Sequence, residues 1–184
     1  MSTTTKTRYQ SPCGWIELSI RDGRLTQVRL CPPGGRSTCR MSHGSVPREA
    51  AQFVRALRRY FAGEDIRLPT GALDLCGASA FQARVYRELT KVRFGQVVTY
   101  GELATRVGSP AGARAVGQAV AANPLPVLVP CHRVLAADWR LGGFSAGLPW
   151  KAALLAHEGW AAQARRAPGY GTRIRLSACQ ENRP

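Results

Sequence analysis

Acidic residues are scarce in this sequence, and lysine is scarcer still. Aspartate and glutamate number 11 against 26 lysines plus arginines in 184 residues, for a net charge of +15. The only lysines are Lys6, Lys91 and Lys151. A chain of that sign concentrates polyanions and speeds encounter with them, which makes nucleic acid the leading partner. The alternative is that the charge serves solubility and the arginines reflect codon bias; charge alone leaves the two readings level. No apolar run approaches the length of a membrane span, and Met1 to Gln10 lacks the apolar core of a signal peptide. No membrane association is expected, and the location is expected to be intracellular: cytoplasm in a prokaryote, nucleus in a eukaryote. CxxC pairs are missing too. Cys13, Cys31, Cys39, Cys76, Cys131 and Cys179 are scattered, so in a reducing compartment they read as free thiols. Internal repeats and low-complexity tracts are also lacking. What is there, 45% hydrophobic and 20% charged residues, is an ordinary globular balance, long enough for one sizeable core or two small ones.

Trp15 to Ile20 alternates in polarity, Asp22-Gly23 supplies a tight-turn signal, and Leu25 to Leu30 returns, which predicts a hairpin. Cys31 to Pro47, rich in Pro, Gly and Ser, reads as a loop or linker. From Arg48 to Phe61 the residues Ala50, Phe53, Val54, Leu57 and Phe61 share one helical face, with Gly63 suited to the stop. Ile66 to Leu75 is expected to be extended. Ser79 with Gln82 makes a capping-box pattern before the helically spaced Phe81, Val85, Leu89 and Val92, and Thr99 with Glu102 opens a short helix ending at Gly108. Ser109-Pro110 is expected to cap and start the next helix, through Ala122. Two short helices joined by a glycine-containing turn are a helix-turn-helix candidate. Leu125 to Val129 is expected to be a buried extended segment, a last helix to span about Trp150 to Glu158, and Arg165 to Pro184 to form a basic, mobile tail.

One cysteine stands apart. A thiol must become a thiolate before it attacks an alkyl carbon, and an adjacent imidazole or cation promotes that. Cys131 is followed by His132 and Arg133. By itself a Cys-His pair is equally at home in a structural core. Around Cys131, however, lie a proline-bounded apolar stretch, the helix-turn-helix candidate and the Gly-rich run Leu141 to Gly147.

Pro130-Cys131-His132-Arg133-Val134 resembles the active-site motif of the O6-methylguanine-DNA methyltransferases. The likeness extends through Phe81-Gln82, Phe94-Gly95, Thr99 to Ala104, Ala113 to Gly117, Asn123-Pro124 and Leu154 to Gly159, and more loosely to Ser11-Pro12-Cys13-Gly14. The resemblance implies direct reversal of DNA damage without nucleotide excision: a single-use transfer of an alkyl group from O6-alkylguanine, or O4-alkylthymine, to Cys131. A base inside a duplex cannot reach a buried thiolate, so it must be flipped out. Arg114 matches the arginine that fills the gap, with Ala113, Ala115 and Gly117 allowing close approach to a minor groove. His132 matches the base that acts on the thiol through a water, and Glu158 the carboxylate that orients it. Tyr100 matches a DNA-contacting phenol that helps the guanine leave, and equally suits a core position at a helix start. Asn123 matches a hinge whose amide ties the motif together, alongside an ordinary place at a helix end. Pro130, Val134, Phe144, Ser145 and Ala146 match the pocket lining.

Several positions depart from the pattern. Phe144 stands where tyrosine is common and Ala146 where many members have glycine, so the pocket is expected to be narrow and benzyl adducts poor substrates beside methyl. Asp138-Trp139 replaces a Ser-Gly turn. Cys31, Cys39 and His43 do not reproduce a four-ligand zinc set, so neither metal nor cofactor is expected. Competing readings are a cysteine hydrolase, which would need an oxyanion site, a lesion-binding relative without transfer, whose kind replaces the cysteine kept here, and a helix-turn-helix regulator. The expected fold is α+β. A ribonuclease H-like α/β scaffold with a small antiparallel sheet would span residues 1–78, an α-rich, winged-helix-like DNA-binding and catalytic domain 79–164, and the tail 165–184. The expected partner is double-stranded DNA, bound by a monomer.

Overall fold

The computed structural model describes residues 4–31, 46–69, 71–166 and 172–178; at 138, 162–166 and 172–178 it describes the backbone alone. Three antiparallel strands open the chain: β1 (Thr4–Ser11), β2 (Gly14–Arg21) and β3 (Arg24–Leu30), in spatial order β1-β2-β3. The expected hairpin is β2-β3, turned at Asp22-Gly23 with both residues left-handed. Strand β1 was not anticipated. Its residues are mostly polar because one face meets solvent, and pairing across β2 rather than apolar content holds it, Thr4 opposite Arg21 through Ser11 opposite Gly14.

A 3₁₀ turn at Arg48–Ala50 leads into α1 (Ala51–Phe61), which buries Phe53, Val54 and Leu57 as the spacing predicts, with Tyr60 buried in addition and Phe61, expected on that face, only half-buried. The stretch from Ile66 to Leu75, expected to be extended, forms no strand among its described residues. It docks on β3 through one bridge, Leu25 with Leu73, supported by Leu25 N–H to Ala72 O at 3.0 Å and Asp74 N–H to Leu25 O at 2.8 Å.

Both predicted capping boxes are present. Ser79 starts α2 (Ala80–Leu89) with Gln82, and Thr99, the last residue of β4 (Val98–Thr99), starts α3 (Tyr100–Arg106) with Glu102. Gly108, at φ +75°, closes α3. The next helix, α4 (Ala113–Ala121), begins later than expected: its N-cap is Gly112, and Ser109-Pro110 belongs to the turn before it. Its C-cap is Ala122, one residue ahead of Asn123. Leu125–Val129 is buried as expected but is not extended. It folds back on itself, with Pro126 bridged to Val129 and Val129 N–H donating to Leu125 O at 2.8 Å.

A 3₁₀ turn at Cys131–Arg133 and β5 (Val134–Leu135), parallel to β4, come next, then α5 (Leu148–His157). Where a tail was expected from Arg165, β6 (Trp160–Arg166) and β7 (Thr172–Ala178) pair antiparallel. The greater part of the predicted linker, residues 32–45, and the tail residues 167–171 and 179–184 lie outside the described residues.

The main apolar core runs from Ile16 and Leu18 through Phe53, Leu89 and Val116 to Trp150, and Leu135, Leu141 and Leu155 form a smaller second cluster. Each such side chain contributes about 1.5–3 kcal/mol of burial free energy. Two contacts tie the sheet to the segments that flank Cys131. The Trp150 indole donates to Cys31 O at 2.6 Å, and Gly14 sits so close that a Cβ there would lie 3.0 Å from the indole ring. The free edge of β3 donates from Val28 N–H to Pro124 O at 2.8 Å, fixing the segment that leads to Cys131.

Candidate active site

Cys131 is 2% exposed, at the start of a 3₁₀ turn and at the end of the folded-back segment. Asn123 is the tie that holds this segment. Its amide Nδ2 donates to Val129 O at 2.9 Å and its Oδ1 accepts from Leu125 N–H at 3.0 Å, while Cys131 N–H donates to the same Val129 carbonyl at 2.7 Å. The amide therefore fixes the backbone on both sides of the bend. Burial pushes the Cys131 thiol up to about 11, against the opposing pull of Asn123, the Lys151 charge and nearby backbone donors. The resting group is a protonated thiol.

Beside it lies a buried polar cluster. His132 Nε2 is 2.8 Å from Glu158 Oε1, and both side chains are fully buried. The Tyr60 hydroxyl, from α1, donates to the same oxygen at 2.8 Å. Arg133 Nε donates to Glu158 Oε2 at 2.9 Å and its terminal nitrogen to Oε1 at 2.9 Å, while Gly95 N–H reaches Oε2 at 3.2 Å. Burial raises the Glu158 carboxyl, but His132 and Arg133 hold it down at about 2. Burial also lowers His132, keeping the imidazole neutral near pH 7. With Nε2–H directed at Glu158, the free lone pair is on Nδ1, which makes no hydrogen bond within the described protein. The arrangement is a buried thiol followed by a buried imidazole, which is held in turn by a buried carboxylate.

Lys151, in α5, is fully buried. Its Nζ donates to Val134 O at 2.5 Å, to Leu141 O, and to Gly143 O at 3.4 Å. It thereby pins the Gly-rich loop to the strand after Cys131. Burial lowers it to about 8, and the Cys131 charge opposes that. Arg133, expected as a cation beside Cys131, is instead paired with Glu158, and Tyr60 and Lys151 were not among the residues expected to form the site. The sequence offers only weak signals for them: Tyr60 lies three residues past Leu57 on the apolar face of α1, and Lys151 is one of three lysines.

The remaining expected residues fall into two groups. Tyr100 is half-buried near Cys131, and burial raises its phenol, followed by the charge of Cys131. It is approached closely by Gly142, where φ is +65° and a Cβ would lie 3.3 Å from the ring. Pro130 and Val134 are buried, and Phe144 and Ala146 pack against the core that contains Cys131, with Ser145 exposed. Arg114 and Ala115 are exposed near the start of α4, Ala113 is half-buried there, and Gly117 faces Tyr100 with 3.9 Å of room for a Cβ. Trp139 takes a left-handed φ of +61°, is 50% exposed and stacks on Trp160 with ring centroids 5.8 Å apart. Trp160 donates to Gly95 O at 3.2 Å, so the unusual indole packs against the support of Glu158. Cys31 is buried, and Cys39 and His43 lie outside the described residues. Among the described residues no three His, Cys, Asp or Glu side chains cluster as metal ligands.

Comparison with known proteins reaches the same segment. Residues 80–160 match the family described as 6-O-methylguanine DNA methyltransferase, DNA binding domain. A methylated-DNA–protein-cysteine methyltransferase of Mycolicibacterium paratuberculosis is 42% identical over 148 residues, covering 80% of this chain and 88% of that protein. One of Homo sapiens is 36% identical over 168 residues, covering 84% and 80%. The crystal structure of Mycobacterium tuberculosis OGT in complex with DNA superposes with a TM-score of 0.68 at 36% identity, over 83% of this chain and 92% of that one. Identity of this extent, over four-fifths of the chain and of each relative, means that the chain belongs to the methylated-DNA–protein-cysteine methyltransferase family.

Proposed function

We propose that this protein repairs alkylated DNA by direct reversal, moving one alkyl group from O6 of guanine to Sγ of Cys131. The observation that carries the reading is the buried thiol followed directly by a neutral imidazole whose far side is held by an ionised carboxylate. The thiol proton passes to Nδ1 of His132, through one water. The S–C bond forms as the C–O6 bond breaks, and the departing guanine takes a proton delivered by the Tyr100 phenol. A phenol raised by burial keeps its proton until then. Atoms and charges balance with these groups alone, so no metal or cofactor enters. A thioether does not hydrolyse, so each molecule acts once.

Double-stranded DNA is the partner, with the lesion nucleotide flipped out of the duplex. Arg114, exposed near the start of α4 among small residues, fills the gap from the minor groove, and the protein acts as a monomer. The architecture we infer is a ribonuclease H-like scaffold (residues 1–78) carrying a winged-helix-like catalytic domain (79–164). O4-alkylthymine is a secondary substrate by the same chemistry.

The test is intact and peptide mass spectrometry after mixing the protein with a duplex carrying one O6-methylguanine, alongside Cys131→Ala. A one-methylene gain confined to the Cys131 peptide and saturating at one per protein is expected. Tighter binding of the lesion duplex with no mass gain would make this a binding-only relative.

A further inference from the structure

A cleft of about 600 Å³ opens between the segment after α1, the C-terminal half of α2 and the turn Val127–Pro130. That size falls in the roughly 300–1,000 Å³ range of small-molecule sites. Cys131, Tyr100 and the loop Phe144 to Ala146 do not line it, while Val129, Pro130 and Arg133 are shared with the surroundings of Cys131. The alkyl-transfer chemistry leaves it unused.

Its walls are of two kinds. Ile66, Leu68, Tyr86, Val127 and Leu128 make an apolar floor. Arg67, Arg87, Lys91 and Arg93 stand exposed around it. Arg93 is paired with Asp65 at 3.0 Å and Lys91 with Glu88 at 2.6 Å. Arg67 and Arg87 form no ion pair among the described residues, and Asp65 is the only acid lining the cleft. The complement of such a surface is an apolar body with an anionic head that a guanidinium fork can grip.

The inner wall is also the backbone that positions the nucleophile. Val127 has φ +73°, a left-handed conformation that a β-branched residue adopts only under strain of about 1–3 kcal/mol. Two residues on, the Val129 carbonyl accepts from both Asn123 Nδ2 and Cys131 N–H. Pressure on Val127 and Leu128 therefore acts on the bend that sets the thiol.

We propose that this cleft is a regulatory site for a small amphipathic organic anion, an apolar body bearing one carboxylate, sulfonate or phosphate group, whose binding alters the rate of alkyl transfer to Cys131. The rate part rests on the alkyl-transfer reading; the binding part does not.

The test uses the fluorescent anion anilinonaphthalene sulfonate, titrated into the full chain and into the double variant Arg67→Glu, Arg87→Glu. One saturable site, weakened about tenfold or more in the variant and kept in the presence of undamaged duplex, is expected. Binding unchanged in the variant would overturn the site, as would displacement by undamaged duplex, which would make the cations part of the DNA surface. If charge reversal disturbs the circular dichroism spectrum, Arg67→Met with Arg87→Met takes its place. Single-turnover methyl transfer is then timed with the cleft filled. A change of about twofold or more in the parent, lost in the variant, is expected, and an unchanged rate at full occupancy overturns regulation. A parent that gains no methyl with or without the probe fails the alkyl-transfer reading and regulation with it, while the titration still decides the site.

Discussion

The hydroxyl of Tyr60 donates to Oε1 of Glu158 at 2.8 Å, the same oxygen that faces His132. A residue of α1, in the half of the chain expected to be scaffold, thus directly supports the carboxylate that pairs with His132. Burial and the Glu158 charge raise the Tyr60 phenol well above its ordinary value, so it remains a donor at any working pH.

Tyr60→Phe removes that donor while keeping the ring packing against Phe94 and His157. We expect methyl transfer slowed by about tenfold, in line with the loss of an outer supporting contact, with one methyl per protein still reached at long times. Rapid-quench single-turnover kinetics measures both. A rate equal to the parent's would mean that Arg133 and Gly95 alone suffice to hold Glu158.

The thiol should be sluggish before DNA binds. With Cys131 at about 11, roughly one thiol in a thousand is ionised at pH 8. Iodoacetamide is therefore expected to label exposed Cys76 ahead of Cys131 at that pH, with the Cys131 rate climbing about tenfold per pH unit toward 11. Peptide mapping over time reads this. Preferential labelling of Cys131 at pH 8 would show a thiolate already present in the free protein.

Arg133 is the fixed cation against Glu158. Arg133→Met strands a buried carboxylate and is expected to cost about 3–5 kcal/mol of stability at pH 7, measured by urea unfolding. Because the folded Glu158 carboxyl sits at about 2 against an ordinary 4.5, its contribution is fully present above 4.5 and is lost as pH falls toward 2. The parent should weaken through that window. The variant, whose carboxyl is held down less, should weaken less there. Equal acid sensitivity in the two proteins would remove Glu158 as the cause.

Ala146 packs, half-buried, against the core that contains Cys131. Removing its methyl should widen the substrate pocket, so Ala146→Gly is expected to raise the rate on O6-benzylguanine duplex roughly tenfold while leaving O6-methylguanine nearly unchanged. Competition between the two duplexes gives the ratio. No change in that ratio would place the adduct away from this side chain.

Much of the local structure could be read from the residues alone. The capping boxes at Ser79 and Thr99 and the Asp22-Gly23 turn depend on contacts within a few residues, and the same contacts form in the fold. Position Ser109-Pro110 misled because Gly108 had already turned the chain, leaving Gly112 as the true N-cap. Strand β1 was not legible because its partner, not its composition, makes it a strand.

The sequence by itself determined that a thiol, an imidazole and a guanidinium stand side by side, since Cys131, His132 and Arg133 are adjacent, and Asn123 bridges only six residues to Val129. Only the tertiary structure decided what surrounds them. Tyr60 meets Glu158 across 98 residues, and Lys151 binds carbonyls of two separate segments. Partners of that kind are selected by how a whole core closes. A buried donor or charge must find whatever acceptor the packing brings near it, and no periodicity along the chain records which one that is.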